Sequence, residues 1–155
     1  MVKKTVILWI LVFQFIGYGL SKITLANTTG TWYANLNKSA LTPPNVVFSV
    51  SWGLLYILLA LVGHLLWLNR RNDNAKIILV LYVLQMLVNW LWTPIFFQFH
   101  WVKFGFYCIC IMLIITFTII LLCINHFKII SVFLFPYLVW LLFAAYLNGV
   151  IVLKN

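Results

Sequence analysis

A single acidic residue, Asp73, stands in 155 residues against ten lysines and arginines, and charged residues make up only 7% of the chain. That scarcity excludes whole classes of chemistry. Glycoside hydrolysis needs two flanking carboxylates, a Ser-His-Asp set needs an acid beside its histidine, and a membrane proton relay needs a series of intramembrane acids. Asp73 sits alone in a short polar connection, so none of these can be assembled. Cysteine is equally sparse. Cys108, Cys110 and Cys123 share one apolar stretch without CxxC spacing, so neither a disulfide framework nor a zinc site is expected. A bis-histidine haem site needs two ligands at one depth; His64 lies within an apolar stretch, whereas His100 and His126 are expected near opposite membrane faces. Without a dedicated acid, base, nucleophile or metal site, the reading leans away from an enzyme and calls for no resident cofactor.

What is present is apolar and aromatic, with 66% hydrophobic residues and 18% Phe, Trp and Tyr. A bilayer core about 30 Å thick takes roughly 20 helical residues. Five stretches meet that length, about 5–25, 46–68, 75–98, 104–125 and 129–152, and predict an all-α integral membrane bundle, one domain over 1–155. The first stretch reads as a mature helix: its apolar run is long, no small-x-small cleavage site follows, and it carries Gln14, Gly17, Tyr18 and Gly19. Short connections make consecutive helices antiparallel neighbours.

The net charge of +9 is spread thinly over helix ends, and no soluble domain offers a basic face, so nucleic acid is not an expected partner. The cations orient the chain instead. With the N-terminus cytoplasmic, Lys3, Lys4, Arg70, Arg71, Lys76 and Lys128 lie inside, against Lys22, Lys38, Lys103 and Lys154 outside. No organelle address stands out, which favours a bacterial inner membrane.

Only the connection from about Ala26 to Asn45 is long. Trp32, Tyr33, Leu36 and Leu41 are too apolar for a solvated tether, so the segment is expected to fold back on the bundle as a lid. Thr42 before Pro43-Pro44 is expected to cap the second span, with proline in its first turn. Helical spacing then groups aromatic and amide residues. Trp52 and Tyr56 share a face; Asn89, Trp92, Thr93 and Phe96 share one; Trp140, Phe143, Ala144, Leu147 and Asn148 share a third. Pooled faces of this kind suit a flat hydrophobic ligand, set against the plainer reading of interfacial belts and interhelical hydrogen bonds.

These residues carry a resemblance. WYxxL at Trp32, Tyr33 and Leu36, PPxxVFxxxWxxLY from Pro43 to Tyr56, NWxWxPxFF from Asn89 to Phe97 and PYxxWxxFAxxLN from Pro136 to Asn148 resemble the TspO/translocator-protein family, also called tryptophan-rich sensory proteins or peripheral benzodiazepine receptors. The resemblance implies a five-helix bundle, usually dimeric, whose first loop lids a cavity for porphyrins and benzodiazepine-type drugs. It implies light-dependent porphyrin degradation or tetrapyrrole or lipid transport as alternative roles. By the same likeness, Trp52 and Asn89 would hydrogen-bond a ligand carbonyl, and Tyr33, Pro43, Trp92, Phe96, Trp140, Ala144 and Leu147 would line the cavity. Departures from the family pattern are Ser39 after Lys38, Ala60, Gln98 after Phe97, and Cys108 near a frequent acid position. The animal cholesterol motif is not met, because Lys154 is too far beyond Tyr146. Ala145-x-x-x-Gly149 offers a small-residue face for a partner helix.

Overall fold

The structure, a computed structural model, describes residues 2–28 and 31–155. Positions 29 and 30 of the first connection lie outside that description, as does the side chain of Lys3. The described chain is helical: α1 (Val2–Thr28), a short α2 (Thr31–Asn35), α3 (Asn45–Leu68), α4 (Asp73–Thr93) continued by a wider turn over Pro94–Gln98, α5 (Val102–Cys123) and α6 (Lys128–Lys154). Five helices, α1, α3, α4 with its wider turn, α5 and α6, are long and apolar enough to cross a membrane. α5 packs along both α4 and α6, while α1 lies mainly against α3. α1 is the least buried of the five.

The helix ends follow local chemistry. Asn72 caps α4 by accepting from the backbone N–H groups of Asn74 at 2.9 Å and Ala75 at 3.4 Å. Asp73, expected in a connection, is the first residue of that helix and pairs with Lys76 at 2.7 Å on an exposed surface. Pro94 cannot donate a backbone hydrogen bond and crowds the preceding turn, and there the α-helix gives way to a π-type turn closed by Phe99 N–H to the Pro94 carbonyl at 3.0 Å. The wider turn leaves Phe96 and Phe97 both buried.

Two sequence expectations change here. The segment after α1 was read as loop, yet α1 runs to Thr28 and Thr31–Asn35 is helical. The expected Thr42 cap does not form: Pro44 occupies the position before α3, at φ −59° and ψ 151°, and no side chain caps the helix. The double proline explains it. Pro43 precedes another proline and is pushed out of the α region, so it cannot be the first helical residue that a Thr42 cap requires.

Within the bundle, glycines set the closest approaches. A Cβ on Gly17 would lie 2.7 Å from the Tyr56 ring, and one on Gly63 would lie 2.6 Å from Trp9. Gly149 packs within van der Waals reach of Phe106 of the same chain, so the Ala145–Gly149 face is at that point occupied by α5.

Four helices meet in one polar knot. The Tyr137 hydroxyl of α6 accepts from Asn89 Nδ2 at 2.8 Å and from Gln85 Nε2, both on α4, and donates to Met112 Sδ of α5 at 3.6 Å. Tyr56 of α3 donates to Asn89 Oδ1 at 3.1 Å. In hydrocarbon no water competes for these groups, and interhelical bonds of this kind contribute about 0.6 to 2 kcal/mol each. Tyr137→Phe strands two buried amide donors and is expected to cost about 1–3 kcal/mol, more than Tyr82→Phe, which removes only a bond to the already paired Leu59 carbonyl. Denaturant unfolding of both variants in detergent checks this; equal losses would show that the knot has no special weight.

Candidate functional site

Tyr56, Asn89 and Met112 of the knot line the floor of a cavity of about 330 Å³ between α1, α3, α4, α5 and α6. Its walls are aromatic. Trp52 tilts against Tyr56 with ring centroids 5.5 Å apart and meets Trp140 edge-on at 6.4 Å. Across the space Trp92 stacks on Phe96 at 5.3 Å and 18°. Gly105 of α5 makes room for that stack, because a Cβ there would lie 2.9 Å from the Phe96 ring.

Of the ten residues singled out from the sequence, Tyr33, Trp52, Asn89, Trp92, Phe96, Trp140, Ala144 and Leu147 line this cavity. Pro43 and Phe143 do not. Pro43 gives way to its neighbours, since Thr42 and Asn45 reach the cavity on either side of the proline pair. Phe143 lies on the outer flank of α6, in a separate groove with Leu54, Leu58, Pro136 and Val139. Its spacing from Trp140 places it one turn along the helix but rotated out of the bundle, a distinction that periodicity on one helix cannot make.

Asn89, expected to meet a ligand carbonyl, is 2% exposed, and each end of its amide already has a protein partner. The amide at the cavity with an unmet group is Asn148, whose Oδ1 is buried without a partner among the described residues. Gln85 and Tyr137 were not singled out as site residues; neither lines the cavity, but the Tyr137 hydroxyl holds Asn89, which does, and also accepts from Gln85. Nor was α1, which supplies Gln14, Gly17, Tyr18, Ser21 and Thr24. Their recurrence every three to four residues as a small and polar stripe was a legible signal.

One side of the cavity is open. The lining residues that remain exposed are Tyr18 and Leu25 of α1 and Asn45 and Ser49 of α3, so the mouth lies between these helices at the α2 end of the bundle. Towards the other end, Gln14 Nε2 closes the seam by donating to the Gly53 carbonyl at 2.8 Å. None of the lining residues carries an acid, lysine, arginine or histidine side chain.

The segment from α2 to Pro44 covers the end of the cavity. Trp32 stacks on His100 with centroids 3.9 Å apart, and Tyr33 packs on Phe97 at 5.5 Å. His100 holds this position with φ 58°, a backbone conformation unusual outside glycine. Lys38 folds back onto the carbonyls of Tyr33, Ala34 and Leu36 at 2.6, 3.1 and 3.1 Å, completing the end of α2. Burial raises the Tyr33 phenol above its ordinary range, which keeps it a neutral hydroxyl at physiological pH.

A reciprocal amide clasp fastens the segment to α6. Asn37 N–H donates to Asn155 Oδ1 at 3.0 Å, and Asn155 Nδ2 donates to the Asn37 carbonyl at 3.3 Å. Ser39 and Tyr146 share a further hydroxyl contact at 2.9 Å. The clasp is exposed and holds little of the global stability. Asn155→Ala, which removes the side chain that makes both bonds to the Asn37 backbone, is therefore expected to speed amide exchange over residues 31–42 while leaving the unfolding midpoint nearly unchanged. Hydrogen-exchange mass spectrometry tests this, and unchanged protection would mean that the aromatic contacts alone secure the segment.

Comparison with known proteins places this arrangement. The family model described as TspO/MBR matches residues 7–153. The chain is 36% identical over 140 residues to the tryptophan-rich protein TspO of Archaeoglobus fulgidus, covering 90% of each chain. It is 32% identical over 120 residues to the protein CrtK of Rhodobacter capsulatus, covering 77% of this chain and 75% of that one. To the translocator protein of Homo sapiens it is 31% identical over 125 residues, with coverage of 76% and 70%. A match that spans all five candidate membrane helices and the cavity between them means that this multi-pass membrane protein belongs to the TspO/MBR family.

Proposed function

We propose that the protein is a membrane receptor or sensor that binds flat tetrapyrroles of the porphyrin class, and benzodiazepine-type molecules, in the cavity between its helices. The observation that carries this reading is the pairing of large aromatic walls with uncharged hydrogen-bonding groups in one partly open cavity. Trp52, Trp140 and the Trp92–Phe96 stack would bury the ring faces. Asn148 Oδ1 would accept from a ligand N–H, and the Tyr33 hydroxyl stands at the covered end. By family likeness the reading includes a bacterial inner membrane and a homodimer.

A second reading, light-dependent degradation of a bound porphyrin, draws on Trp52 and Trp140, two oxidisable indoles on the same cavity wall. Loss of product in a Trp52→Phe/Trp140→Phe double variant would favour it, and equal product with free tryptophan would remove it.

The receptor reading is tested by titrating the detergent-solubilised protein with protoporphyrin IX in the dark and following tryptophan quenching. Saturable quenching that a benzodiazepine-type competitor reverses is expected. Trp52→Ala should weaken the affinity about tenfold, the scale of one aromatic stacking contact. Linear quenching with no competition would overturn the proposal.

A further inference from the structure

We propose that Lys22, at the mouth between α1 and α3, is the residue that anchors a carboxylate substituent of the ligand. The inference rests on the receptor reading and adds the anchoring residue and the orientation of what is bound.

The one-sided opening and the uncharged lining together set an orientation. The cavity is open on one side, between Tyr18 and Leu25 of α1 and Asn45 and Ser49 of α3, so one edge of a bound ring can reach the mouth. The lining of the cavity offers no cationic side chain, and a carboxylate drawn into it would lose its water without gaining a partner. The acidic edge of such a ligand is thus the edge left outside. Asn148 and the indole walls then face the ring, and the mouth faces the acid groups.

Lys22 is the cation placed to receive them. Its Nζ stands 4.9 Å from the centre of the Tyr18 ring, and Tyr18 and Ser21 both line the mouth. The ring holds the ammonium by a cation–π contact while leaving its N–H groups free to donate, which a carboxylate can use. Lys38, also near a lining ring, already donates to three carbonyls. Lys103 and Lys154 complete the basic residues at this end, where the sequence places no acidic side chain. Of these cations, Lys22 is the one held against a mouth residue with its N–H groups free, and it fixes the anion there.

The test compares protoporphyrin IX with its uncharged dimethyl ester, each titrated into the full chain in zwitterionic phosphatidylcholine nanodiscs. Wild type, Lys22→Gln and Lys154→Gln are measured, and the ratio of variant to wild-type affinity is taken for each probe, so that differences in partition between the probes cancel. Lys22→Gln should weaken the dicarboxylate on the order of fivefold and leave the diester unchanged. Lys154→Gln should change neither by more than about twofold, because Lys154 does not line the cavity and its exposed charge is screened by salt. A Lys22→Gln loss equal for both probes, or absent for both, overturns the anchor while leaving the receptor reading intact. Wild type that binds neither probe saturably overturns the receptor reading, and the anchor with it.

Discussion

The Tyr137 hydroxyl accepts two amide N–H bonds and donates toward a thioether, and through these bonds it joins three of the helices, with Tyr56 bringing in the fourth by way of Asn89. Among lipid tails, apolar packing gives helices little reason to prefer each other over the bilayer. Directional bonds between buried amides and phenols are what fix the relative heights and rotations of α3, α4, α5 and α6. The same bonds place a polar floor at one depth, and the aromatic walls rise from it. A cavity therefore follows from how the bundle is fastened.

α1 is outside that knot and is held differently. Gln14 reaches the Gly53 carbonyl, Gly17 accepts the Tyr56 ring, and Gly63 of α3 accepts Trp9. These contacts lie toward the end away from α2, so the seam between α1 and α3 is closed there and open near Tyr18, Ser49 and Leu25. Closure of the cavity end is left to a short helix and an irregular segment. Stacked rings at Trp32 and His100 hold one side of it, and the Asn37–Asn155 clasp holds the other. Strong bonds thus lie at the floor, while surface bonds of small individual weight hold the cover, a distribution that suits a site whose ligand must enter.

Much of this was legible in the sequence. Length and apolarity set the five spans. Helical periodicity grouped Trp52, Asn89, Trp92, Phe96, Trp140 and Leu147, all of which reach one cavity. The misses have physical causes. Thr42 looked like a cap because single-residue preference was weighed without the constraint that one proline imposes on another. Phe143 shares a nominal face with Trp140, yet a small rotation of α6 turns it to the outer groove.

Gln85 and Tyr137 show the boundary most clearly. A lone glutamine and a tyrosine 52 positions apart carry no sign in the sequence that one hydroxyl will serve both Gln85 and Asn89. By itself the sequence determined that the chain must lie in a bilayer as five helices, because that follows from local length and polarity. Only the tertiary structure decided which faces look inward, that Asn89 is already engaged, that the Asn148 Oδ1 is not, and that the mouth opens beside Lys22. Those outcomes depend on the rotation and depth of each helix, and these are set by contacts between residues far apart in the chain.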